Sequence, residues 1–503
     1  MINKNKKSRY DNLRNVTDLS KHKKQKKVLI PPFLQIKNLK TESWLNERLP
    51  EMLWAVLIIG NIERKEALDF FRYLANFIKE NPECYDITIT GISKLKVNKR
   101  KEMLKIMMSY SEEIRDILSA LLLFKNLPSY DDWKNDLNDP IPKEDWLKIS
   151  RGVVKTFNHQ SEEATDCRWL KVLCALISGK LNFPVGAVDE IRGIFEYPNY
   201  GDLRYIRPLI RSTEIVPFKE AVEEKNNWAS DFWQYCFNET VCVPEEQYDK
   251  KIKSRSSKFK KEIEIVRKHY IDETKKIRHE LIKHFFNTMQ TTTIDSRYEG
   301  SFGLAIYGLT LFIEIIFYKV SFSITSRIVL RALVETYIIF KYLLKKEKQD
   351  PNIWDSFRDY GIGQIKLIFL KQKELKSKIN CIDIEEIDYI ANEDKWVEFI
   401  PINLGNWNTS DLRTMSMEAK LKDLYDKFYN YTSGYTHANW GAVRESIYQK
   451  CLNPLHRFHR IPRQNLPLML SITNDAIKIV NDILKCLSIA YPNFYFRLKH
   501  YVN

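Results

Sequence analysis

Two apolar runs, FGLAIYGLTLFIEIIFY (302–318) and ITSRIVLRALVETYIIFKYLL (324–344), constrain the fold more than any other part of the chain. Their apolar residues recur three and four apart on nearly every face, so each must be a helix with partners around it. The first is 17 residues long with Glu314 inside, which is short for a membrane span and costly with an ionised carboxylate. The pair is therefore predicted to be a buried helical hairpin, 301–320 and 324–345, at the heart of a soluble domain. Glycine is scarce at 15 residues and alternating runs are few, so the rest is also expected to be helical. A chain of 503 residues exceeds one ordinary core.

The expected organisation is all-α with two helical domains. It comprises a disordered basic tail (1–27), an N-terminal helical domain (28–240), a helical bundle (241–465) and a C-terminal helical cap (466–503). Helices are predicted at 64–79, 99–124, 144–157, 162–181, 185–195, 354–373, 417–434 and 466–487, and one long charged helix at 247–289. YDITITGI (85–92) alternates like a short strand.

Charge is concentrated at the start of the chain. Residues 1–27 carry ten Lys or Arg against two Asp, more than half of the net +15. Such a tail is either a solubilising arm or a contact for nucleic acid or an acidic partner. On the long helix, Lys251, Lys253 and Arg255 read either as a solvated face with i,i+4 ion pairs or as a stripe for a phosphate backbone. The eight cysteines include no C-x-x-C pair, and the charged N-terminus has no apolar segment. A reducing cytoplasm is expected, with no membrane partner.

Residues 424–463 gather His437, His456, His459, Arg444, Arg457, Arg460, Arg463 and Cys451. Metal-independent RNA cleavage needs a base of near-neutral pKa, an acid for the leaving oxygen and cations for the phosphorane. Histidine and arginine supply these. The candidate catalytic set is His437, His456, His459, Arg444, Arg457, Arg331 and Glu335. Arg331 and Glu335 sit four apart on the second apolar helix. They read either as an internal brace or as an arginine, Arg331 or Arg327, that Glu335 orients toward His437. His437 reads equally as a structural group at a helix end, and His456 and His459 as packing residues. Cys451, His456 and His459 have ligand types at tolerable spacing for a metal, with His437 as a fourth, but no C-x-x-C or H-E-x-x-H accompanies them. No metal or other cofactor is expected. G-x-x-x-x-G-K-[ST], G-x-G-x-x-G and G-x-S-x-G are absent, which sets aside P-loop motors, Rossmann dehydrogenases and α/β-hydrolases.

SRIVLRALVETYIIFKYLLK (326–345), YTSGYTHANW (431–440), WVEFIPINLGNW (396–407) and NPLHRFHRIPR (453–463) resemble a bacterial all-helical family known only as a domain of unknown function, over roughly 225–465. In outline that family is similar to the HEPN helical bundles of ribonucleases in toxin and phage-defence systems. This resemblance implies an Arg followed by a polar residue, with four to six residues between that Arg and a His, a motif that Arg278–His284 matches, and a tendency to form homodimers. The resulting expectation is an RNA-directed effector with a partner protein from the same operon, acting as an endoribonuclease. The alternative is a non-enzymatic nucleic-acid- or protein-binding scaffold.

Overall fold

The structure is a computed structural model that describes residues 19–35, 43–181, 183, 187–215, 228–248, 250–290, 293–375, 379–392, 401–405 and 410–500. It is all-α, with two antiparallel two-stranded hairpins, Lys23–Gln25 with Val28–Ile30 and Tyr448–Lys450 with Arg460–Pro462. The chain divides into two compact units: Met1–Cys242 with Leu452–Phe458, and Val243–Cys451 with His459–Asn503.

In the first unit, helix Leu53–Asn61 is buried from Leu53 to Gly60, because Pro142–Thr156 and Glu162–Ile177 pack around it. Gly60 lies against Gly152, and a methyl group on Gly60 would stand 2.4 Å from the Gly152 Cα. Arg64–Glu80 is amphipathic and buries Ala67, Phe70, Phe71, Leu74 and Ile78 against the same core. The predicted strand at 85–92 is not formed. Asp86 accepts from Thr88, and Thr88 Oγ1 accepts the Gly91 N–H at 2.9 Å, starting helix Ile89–Lys94 instead. Local side-chain capping overrides the alternation. The predicted helix at 99–124 is likewise split, since the Ser111 Oγ accepts the Ile114 N–H and begins Glu112–Leu118.

The second unit is built on the two apolar helices, Ser296–Phe317 and Ile324–Lys346. The first is the one helix among the described residues long and apolar enough to cross a membrane. Here it buries Phe302, Ala305, Leu309, Phe312, Ile315 and Ile316 in the unit's core. Thr473–Ala490 packs against both helices and supplies Ile477, Val480, Ile483 and Leu484, so the C-terminal segment is part of this core. The predicted helix 417–434 is broken into Leu412–Glu418, Lys422–Leu424, Tyr425–Tyr429 and Asn430–Thr436. The first break follows Lys420, whose φ of 59° is left-handed and cannot continue a helix. Of the basic tail, residues 1–18 lie outside the described residues.

Candidate functional site

The Ile324–Lys346 helix turns Leu330, Leu333, Val334 and Ile338 inward. That register leaves Arg331 and Glu335, one turn apart, on the rim of the core. Arg331 Nε donates to Glu335 Oε1 at 2.9 Å, and Nη2 donates to the Tyr429 hydroxyl at 2.9 Å. The guanidinium also lies 4.9 Å from the centre of the Tyr429 ring, which itself stacks on Tyr425. Nη1 points the other way, 3.1 Å from His437 Nε2. Arginine only donates, so Nε2 accepts and the ring proton sits on Nδ1 in this arrangement.

His437 is presented by the end of a helix. Asn430–Thr436 stops at His437, whose N–H reaches Ser433 O at 3.1 Å. Ala438 is left-handed at φ 49°, and the Asn439 N–H returns to Gly434 O at 2.9 Å. This is a Schellman closure, and it holds the imidazole outside the helix in solvent. Beside it, Tyr435 donates to Glu445 at 2.6 Å and contacts the Tyr431 hydroxyl at 2.9 Å. Burial first, and then the Glu445 bond, push the Tyr435 phenol well above its ordinary range.

The structure thus brings Arg331, Glu335 and His437 together and adds Tyr429, which carried no signal in the sequence. Arg327 goes elsewhere: it is 4% exposed, and its Nη2 donates to Leu470 O at 2.6 Å. Arg444 is exposed on Trp440–Ile447. His456 and Arg457 belong to the first unit. There the buried His456 ring contacts the Thr240 hydroxyl at 2.9 Å and Cys242 Sγ at 3.4 Å. Arg457 donates to Asn46 Oδ1 at 2.7 Å and lies over the Trp233 ring. Of the Arg278–His284 pair, Arg278 is exposed. His284 is buried, stacked on Phe494, with Nε2 3.2 Å from Tyr491 O. Six residues of helix separate them by about 120° around the axis, so the two do not share a face. The side chains of Lys251, Lys253 and Arg255 lie outside the described residues.

His459 follows the same local logic as Cys451, whose N–H donates to His459 O at 2.9 Å across the 448–462 hairpin. Of the residues with ligand types that the sequence offered, His456 belongs to the first unit, and Cys451 and His459 belong to the second.

No curated protein and no solved structure matches the chain. Residues 298–450 match a family of unknown function (DUF5677), and this stretch contains Arg331, Glu335, Tyr429 and His437 alike.

Proposed function

We propose that the Arg331–His437 pair binds and cleaves phosphodiesters, and that the protein is an RNA-directed effector of a bacterial defence or toxin-type system. One observation carries the reading. Glu335 and Tyr429 occupy Nε and Nη2 of Arg331, while Nη1 donates to the ring of an exposed histidine. The guanidinium is pinned, so an arriving phosphate oxygen can take Nη1 without moving it. Nε2 of His437 is then released and accepts the proton of the ribose 2′-hydroxyl. The 2′-oxygen attacks phosphorus, the bond from phosphorus to the 5′-oxygen breaks, and water protonates that oxygen. The products are a 2′,3′-cyclic phosphate and a 5′-hydroxyl end. A HEPN-like bundle, cytoplasmic action, homodimerisation and an operon partner belong to the same proposal.

The test is incubation with tRNA and total RNA beside His437→Ala and Arg331→Met. Loss of cleavage in both variants supports the reading; equal degradation by all three proteins, or by none, removes it. A second reading, a non-enzymatic binding scaffold, is favoured by His456, whose buried ring is bonded within the first unit rather than presented to solvent. It expects RNA binding without cleavage.

A further inference from the structure

A cleft of about 620 Å³ opens in the first unit. Arg48, Arg168, Arg211 and His159 line it, with Trp44 and Phe157 as apolar walls, and no carboxylate lines it among the described residues. Glu214 is not among the lining residues and is 2% exposed. That one carboxylate already serves Arg48, Lys171 at 3.0 Å and, at 3.9 Å, Arg168. Arg211 is bonded to a neutral group, the Thr165 hydroxyl at 3.3 Å. Among the described residues at the cleft, positive charge is therefore in excess.

Arg168 is the second, independent sign. It is 2% exposed, and its guanidinium is stacked 4.4 Å from the centre of the Trp44 ring. Nη1 donates to His159 O at 3.1 Å, while Nε and Nη2 have no hydrogen-bond acceptor among the described residues. Buried donors in this condition are rare in folded proteins, and a phosphate oxyanion is the acceptor that a planar guanidinium fork fits best. The local field agrees: burial first, then Arg168, Arg211 and Arg48, hold the His159 imidazole below its ordinary value. Burial also lowers Arg168 itself to about 10.

We infer that this cleft is a phosphate-binding site, engaging through Arg168, Arg211 and Arg48 a phosphoryl group that arrives as free phosphate or on a nucleotide. The inference is independent of the reading of Arg331 and His437.

Calorimetric titration of the full chain with inorganic phosphate and with adenosine 5′-monophosphate, at physiological salt, tests it. Saturable binding is expected. Equal affinities assign the site to phosphate alone, and tighter nucleotide binding assigns the nucleoside to the Trp44–Phe157 side. Arg211→Gln, at a half-buried position, is expected to weaken binding about tenfold or more with little change in Tm. Arg168→Lys keeps the charge, loses the fork and should weaken binding as well. No saturable binding of either ligand, or unchanged affinity in Arg211→Gln, overturns the inference.

Discussion

Replacing Arg331 with Met separates what this side chain does for the fold from what it does for chemistry. Its ion pair with Glu335 joins groups that are 15% and 32% exposed, so solvent screens it to about 0.5 kcal/mol. The bond to Tyr429 contributes about 1 kcal/mol and the ring contact about 0.5 kcal/mol. The structural loss is thus about 2 kcal/mol, within a domain stability of about 5–15 kcal/mol, and the variant stays folded. On the proposed cleavage the expected chemical loss is larger, because removing one preorganised donor from a developing oxyanion costs about 10²–10³ in rate. Cleavage of a fluorescent single-stranded RNA gives kcat/KM for wild type, Arg331→Met, His437→Ala and the double variant. If the two side chains act on one phosphate, the double variant is no slower than the worse single one. Arg331→Lys should not restore activity, because an ammonium cannot hold Glu335, Tyr429 and a phosphate in one plane. Losses that multiply across the cycle, or no loss in either single variant, refute the coupling.

Other consequences are open to measurement. Gly60→Ala forces a methyl group to within 2.4 Å of the Gly152 Cα, so a loss of about 1–3 kcal/mol and a lower Tm are expected; an unchanged Tm would mean the two helices separate freely. Burial raises the Glu214 carboxyl, but Lys171, Arg48 and Arg168 outweigh it and leave it below its ordinary 4.5. A depressed folded value gives stabilisation that is present above the unfolded value and lost as pH falls through the folded one. Wild type should therefore lose stability below about pH 4.5, and Glu214→Gln should flatten that acid limb in a thermal scan against pH.

Much of this architecture was legible in the residues themselves. The periodicity of 302–344 dictated two buried helices, and the i,i+4 spacing placed Arg331 beside Glu335. Those features depend on neighbours within a turn or two, and the chain's local chemistry decides them. Where local chemistry competed with pattern, as at Asp86–Thr88 and Ser111, the hydrogen-bonding side chain prevailed and the pattern misled.

Tertiary structure alone decided the rest. Arg331 and His437 stand 106 residues apart, and they meet because the end of Asn430–Thr436 packs on the Ile324–Lys346 helix and turns its histidine outward. Tyr429 gave no advance sign, and the cluster of basic side chains around Glu214 draws on residues from 48 to 214. Sequence determines which faces must be buried, since hydrophobicity and helical period act over a few residues. It leaves open which polar rims come to face each other, because that depends on how whole helices pack.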